Sequence, residues 1–182
     1  MNKRIGTGFV FALALAAQAA AAPTSVADTA PAYLRVTSFS TTLQADNLAK
    51  LSVSTQGEIP RKPYAFINAN PVVGLAWADL STGKVFVATI HPVIGRDSLQ
   101  NPDSWHGHTA TLAGGASAGN TFCVTSIDST PTAGIQIHGN TMDINVRADL
   151  LPAPVSAFTA AVGFTIQSDL TCGSGLAVRV VS

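Results

Sequence analysis

Two short runs of alternating apolar and polar residues, joined by Gly139-Asn140, constrain the fold of this chain more than any other feature. The apolar positions are Ile135 and Ile137 before the pair, and Met142, Ile144 and Val146 after it. A period of two places alternate side chains on one face of a strand. A two-residue turn would pair His138 with Thr141, Ile137 with Met142, Gln136 with Asp143 and Ile135 with Ile144. Because each pair is apolar with apolar or polar with polar, the sequence predicts a β-hairpin.

Residues that favour helices are scarce in the rest of the chain. Glu58 is the single glutamate, and only three lysines follow the first twenty residues. Thr, Val, Ser, Gly and Pro take their place, which is typical of strands separated by turns. The expected fold is all-β: an antiparallel β-sandwich, Ig-like or jelly-roll-like, with about nine or ten strands. Besides the hairpin, strands are predicted at 33–43, 48–55, 63–68, 72–80, 84–90, 105–112, 121–127, 158–166 and 176–181.

Three of these predicted strands carry a further expectation. The Pro-led segment 63–68 is expected at a sheet edge, since proline cannot donate to a ladder. The segment 84–90 is apolar on both faces, which indicates a central strand. The start of 158–166 is rich in alanine, and it is either strand or a short helix capped by Ser156.

The first residues have the layout of a secretory signal peptide. Lys3 and Arg4 precede an apolar stretch over 8–17 that is followed by small residues. This stretch is shorter than the about 20 residues that span a bilayer. We therefore predict a signal peptide over 1–19 (with cleavage possible up to 27), a flexible leader over 20–31 and a single domain over 32–182. The expected location is periplasmic or extracellular, and no membrane-spanning segment is predicted.

Cys123 and Cys172 are the two cysteines of the chain. In an exported protein such a pair predicts one disulfide. The alternative is a metal-binding or redox pair, but neither cysteine lies in a C-x-x-C motif.

The segment Trp105-His106-Gly107-His108 carries the main candidate site. On a strand, His106 and His108 share a face, and that spacing suits chelation of zinc or copper. Further candidate ligands are His91, which could reach the same end, and His138 at the hairpin tip. Asp97, Asp103 and Asp143 could add oxygen ligands or orient a ring. The alternative is that the histidines form ordinary structural hydrogen bonds.

A serine hydrolase is the weakest alternative. Gly115–Gly119 fits G-x-S-x-G, and Asp128 and His138 follow in the order of a triad. That motif works as an elbow between a strand and a helix, and no helix is predicted after it. We interpret the segment as a hairpin loop.

The formal net charge is zero, so nothing indicates a nucleic-acid partner. The leading expectation is a non-enzymatic binding module of the cell envelope or secreted space, with an unidentified protein or glycan partner. Trp105, expected near the surface with Asp97 and Asp103, is its candidate contact residue, whereas Trp77 is expected in the core. A zinc- or copper-binding protein is the second hypothesis and a small hydrolase the third.

Overall fold

The computed structural model describes residues 30–61, 72–91, 104–114 and 120–181, which carry ten β-strands and a few one-turn 3-10 helices. The strands are β1 Val36–Leu43, β2 Leu48–Thr55, β3 Val73–Asp79, β4 Lys84–Ile90, β5 His106–Ala113, β6 Thr121–Ser129, β7 Ala133–His138, β8 Thr141–Arg147, β9 Ala160–Ser168 and β10 Leu176–Val181. The predicted strands 48–55, 84–90 and 176–181 are confirmed with the same bounds. The predicted signal peptide and strand 63–68 lie outside the described residues.

The prediction of an all-β, antiparallel fold is confirmed, but the two-sheet sandwich is not. One sheet has four strands in the order β1-β2-β8-β7. The other six close into a barrel in the order β10-β6-β5-β4-β3-β9. The ring closes because β9 pairs with β3 on one side and with β10 on the other. Closure removes the free edges of that sheet, a property of pairing that strand patterns along the chain do not reveal.

The hairpin predicted from Gly139-Asn140 is confirmed with its register. His138 pairs with Thr141 and Ile135 with Ile144, as the polarity of the two runs requires. Gly139 has a φ of 60° and occupies the first central position of the turn, as a type II′ turn demands. The buried face of this hairpin, with Met142 and Ile144 fully enclosed, is directed at the main core.

The main core lies between the four-stranded sheet and the outside of the barrel. Leu51 and Ile144 from the sheet meet Trp77 and Phe86 from the barrel, all four fully buried. The Trp77 and Phe86 rings are 6.2 Å apart between centroids. Burial of Trp77 is therefore confirmed. The strand β4, predicted to be central, has one apolar face in this core and the other directed into the barrel.

The disulfide between Cys123 and Cys172 is confirmed, with an S–S distance of 2.04 Å. It links β6 to the turn that precedes β10, beside the pairing of Cys123 with Ala177. Both cysteines are buried. The strand β9 begins at Ala160, and the one-turn 3-10 helix Val155–Ala157 lies before the predicted segment 158–166. The predicted cap is wrong, because Pro154 is the N-cap residue and Ser156 lies inside the turn.

Candidate metal centre

Three of the four histidines meet at one end of the barrel, where β4 ends and β5 begins. The β4–β5 ladder pairs Thr89 with His106 and Val87 with His108. His91 lies two residues beyond Thr89, so it shares the face on which His106 and His108 lie. The register of two neighbouring strands therefore brings together three side chains that are up to 17 residues apart along the chain.

The three imidazoles are packed at contact distance. Ring centroids are 4.7 Å apart for His91 and His106, 4.8 Å for His106 and His108, and 6.1 Å for His91 and His108. One nitrogen from each ring lies within 4.8 Å of the other two. His91, His106 and His108 are only 8%, 5% and 8% exposed. The group could thus hold a metal ion away from bulk solvent.

A backbone carbonyl sets the tautomer of His106. Its Nδ1 lies 2.8 Å from the carbonyl oxygen of Ser104. Since a carbonyl oxygen only accepts, Nδ1 carries the hydrogen and Nε2 presents a lone pair. That lone pair is directed at His91, whose Nε2 is 3.0 Å away. A hydrogen bond from the second ring nitrogen to a carbonyl is the usual support of a metal-bound histidine.

The Nε2–Nε2 distance also suits a shared ion. Two nitrogens bound to one zinc ion at about 2.0–2.1 Å in tetrahedral geometry are about 3.3 Å apart. The 3.0 Å between His91 and His106 needs only a small adjustment to reach that value. Imidazole nitrogen binds zinc and copper alike, so the donor set fits both metals named from the sequence.

Thr130 supports the third ring. Its Oγ1 lies 3.1 Å from Nδ1 of His108, so a metal ion held by the group would bind the second ring nitrogen of His108. Thr130 follows the end of β6, which the register places beside β5 through the pair Thr109 and Ser129. The sequence does not identify Thr130, because the proximity of this residue to His108 depends on the pairing of β5 with β6.

Gly107 separates His106 from His108 and faces the main core. A Cβ atom at this position would lie 3.0 Å from Cζ of Phe86 and 3.4 Å from the carbonyl oxygen of Pro131. The glycine therefore lets the fully buried Phe86 ring pack directly beneath the strand that carries the two histidines. A glycine inside a predicted strand is the sequence signal for such a close approach.

The other candidate residues from the sequence lie elsewhere. His138 is exposed at the end of β7 in the four-stranded sheet, and it is not part of the three-histidine group. Asp143 lies on β8 of that sheet, where it accepts a hydrogen bond from Ser52 and pairs with Lys50. Asp97, Asp103 and the segment 115–119 lie outside the described residues.

The expectation that Trp105 lies near the surface is corrected by the structure. Trp105 is only 7% exposed and belongs to the main core. Its indole Nε1–H donates to the carbonyl oxygen of Pro60 at 2.8 Å, which satisfies the polar end of the ring inside the protein. The ring is buried because Trp105 directly precedes the barrel strand β5 and packs in the core between the barrel and the four-stranded sheet.

A cavity of about 730 Å³ adjoins the histidines inside the barrel. The six strands each contribute to its lining, for example with Ala76, Val87, Leu112, Val124, Phe164 and Val178. On β4, the lining positions Val85 and Val87 alternate with Phe86 and Ala88, which belong to the main core. His91 and His108 line the cavity as well, so an ion held by the three rings would border it.

The sequence and the fold match no known family, curated protein or solved structure. None of the helices within the described ranges is long and apolar enough to cross a bilayer.

Proposed function

We propose that the protein binds one zinc or copper ion through His91, His106 and His108. The observation that carries this proposal is the convergence of three buried imidazoles, with one ligand nitrogen from each within 4.8 Å of the others. In an apolar barrel, valine or leucine would fill these positions at lower desolvation cost than three polar rings. Coordination to an ion compensates for that cost, and it makes use of the tautomer that the Ser104 carbonyl imposes on His106.

The geometry favours this function over the protein- or glycan-binding module that led the hypotheses from sequence. Such a module needs exposed aromatic side chains for stacking or docking. Trp77 and Trp105 are 0% and 7% exposed, so neither tryptophan offers a surface to a partner. Phe39 and Phe122 are 39% and 40% exposed, but they lie on strands of different sheets, β1 and β6.

We also propose that the protein acts in an oxidising compartment, the periplasm or the extracellular space. The predicted signal peptide supports this location, and the disulfide between Cys123 and Cys172 is consistent with it.

The proposal is tested by titrating the tag-free, oxidised protein with Zn²⁺ and with Cu²⁺ in a calorimeter. We expect one ion per chain with a Kd below about 1 μM. His106→Ala should weaken binding at least about tenfold, or 1.4 kcal/mol. The matched control is His138→Ala, which removes an exposed imidazole from the other sheet and should leave the affinity unchanged. Absence of binding, or an equal loss in both variants, would contradict the proposal.

A further inference from the structure

The cavity inside the barrel has an apolar body and one polar end. Most of its lining is aliphatic or aromatic, and its polar lining residues include Thr89, His91, His108 and Thr130. The pairs Thr89–His106 and Thr109–Ser129 place these polar groups at the end of the barrel that holds the histidines. Val85 and Leu112 lie toward the opposite end. The space is therefore amphipathic along the barrel axis.

Small side chains keep this space open. Ala76 and Ala110 occupy inward positions on β3 and β5, where a leucine would project into the cavity. Protein interiors are close-packed, and they contain few voids larger than a water molecule. A cavity of about 730 Å³ is instead within the range of sites for small molecules. Water is a poor filler for it because its walls offer few hydrogen-bond partners.

The cavity reaches the surface near the histidines. Ile127 and Leu176 line it and are 62% and 37% exposed. In the described ranges, β10 pairs with β6 only through Ala177–Arg179 and Thr121–Cys123. The later part of β6, which includes Ile127, extends beyond that pairing, and we expect a ligand to enter there.

A metal ion at the three histidines would bring positive charge to the polar end of the cavity. This charge would determine which polar group a bound small molecule carries. Three neutral imidazoles add no charge, so a bound divalent cation keeps its charge of +2, and three protein ligands leave a coordination position open. Because His91 and His108 line the cavity, an ion held by the three histidines would border it, and a ligand in the cavity would be next to the open position. The cavity lining also includes Asp128, at the rim, and its carboxylate accepts a hydrogen bond from the hydroxyl of Thr111. Thr111 points out of the cavity, because it alternates along β5 with the lining residues Ala110 and Leu112. The hydrogen bond therefore holds the Asp128 carboxylate toward the outside of the cavity.

We propose that the barrel binds an amphiphilic carboxylate, with its carboxylate on the metal ion and its apolar chain along the barrel axis. This inference rests on the proposed metal site. The carboxylate is the head group of choice because its oxygens are ordinary zinc ligands and its charge complements the ion. The aliphatic walls, with Val87, Val124 and Val178 among them, accommodate the chain.

The test begins with the zinc titration and continues with dodecanoate, used below its micelle concentration, on zinc-loaded and metal-free protein. We expect dodecanoate to bind the zinc-loaded protein at least about tenfold more tightly than the metal-free protein or His106→Ala. Dodecanol, which has the same chain without the charge, should show no such dependence on metal. In the cobalt-substituted protein, dodecanoate should change the visible absorption spectrum of the ion, and dodecanol should not.

Two leucine substitutions distinguish the part of the cavity that would hold the apolar chain of the ligand from the metal site. Ala110→Leu fills the cavity and should abolish dodecanoate binding while zinc binding persists, and Ala76→Leu provides a second cavity-filling variant. The matched control is Ala113→Leu, at an exposed position on the same strand, which should leave both affinities unchanged. Zinc binding without dodecanoate binding, or dodecanoate binding that ignores the metal, would overturn this inference alone. Failure of the protein to bind Zn²⁺ would overturn this inference, and failure to bind either Zn²⁺ or Cu²⁺ would overturn the proposed function as well.

Discussion

His91 and His106 approach each other with their Nε2 atoms 3.0 Å apart at the barrel end where β4 and β5 pair. The contact joins the residue after one strand to the first residue of the next strand. The Ser104 carbonyl fixes the tautomer of His106, and thereby the direction in which its lone pair points. The site is held by backbone register and by a backbone hydrogen bond, which gives it little freedom to rearrange.

The Thr130 hydroxyl should tune the affinity for the ion through His108. Thr130→Val keeps the shape of the side chain but removes the contact at 3.1 Å with Nδ1. Loss of such a supporting hydrogen bond typically lowers metal affinity about tenfold to a hundredfold. Calorimetric zinc titration measures the change. Thr125→Val is the control, because Thr125 lies on β6 and its hydroxyl donates to the carbonyl oxygen of Thr111 rather than to a histidine. An equal loss there would refute a specific role for Thr130.

Metal binding should stabilise the folded protein. An ion at about one hundred times its Kd adds about 2.7 kcal/mol to the free energy of unfolding, if it binds only the folded state. A thermal melt with and without Zn²⁺ should show a higher Tm in the wild type and no shift in His91→Ala. A shift of the same size in both proteins would place the zinc at another site.

Gly107 should be intolerant of a side chain. The Cβ atom of Gly107→Ala would lie 3.0 Å from the Phe86 ring, which is fully enclosed and has little room to move. Overpacking of this kind costs about 1–3 kcal/mol of stability. Gly134→Ala, on β7, is the control because its nearest neighbour is 3.8 Å away. Urea unfolding of the two variants compares them, and equal midpoints would show that the contact with Phe86 is unimportant.

Reduction of the disulfide should lower the stability of the domain without separating the three clustered histidines from one another. The bridge closes a loop of about 50 residues, for which the chain-entropy model gives about 4 kcal/mol. Urea unfolding with and without a reductant, or of Cys123→Ala/Cys172→Ala, measures the loss. Because the bridge links β6 to the turn before β10, zinc affinity of the folded, reduced protein should be unchanged. An unaltered unfolding midpoint would contradict the expected loss of stability.

The Asp79 carboxylate should make the stability of the β3–β4 turn depend on pH. Hydrogen bonds from the hydroxyls of Ser81 and Thr82, each 2.6 Å long, hold the pKa of Asp79 below its usual range. A lowered folded-state pKa stabilises the protein above the unfolded pKa of about 3.9, and this contribution is lost as the pH falls through the folded pKa. The stability difference between wild type and Asp79→Asn should therefore shrink on acidification below pH about 4.

An NMR titration of the Asp79 carboxyl carbon checks the cause of this behaviour. In Ser81→Ala/Thr82→Val the two hydroxyl donors are absent, so the pKa of Asp79 should rise toward its usual value. An unchanged pKa in that variant would assign the shift to another source.

Local features of the sequence were sufficient for the strands, the hairpin register and the disulfide. The alternation around Gly139-Asn140 predicts which residues pair, because a slip of one residue would put Met142 and Ile144 on the solvent side. The disulfide was predictable from the presence of only two cysteines in a chain for which the sequence predicts export. The shared face of His106 and His108 follows from their spacing along one strand.

Only the tertiary structure determined which strands close the barrel, which histidines lie beside His106 and His108, and where the cavity forms. β3 pairs with β9, and β6 pairs with β10, and these contacts connect residues far apart in the sequence. The pairing of β4 with β5 brings His91 to His106 and His108, and the pairing of β7 with β8 places His138 in the other sheet. The packing of that sheet on the barrel buries Trp105. Alternation along a strand determines which side chains share a face. What each face meets depends on the strands packed against it, and that is a property of the folded chain.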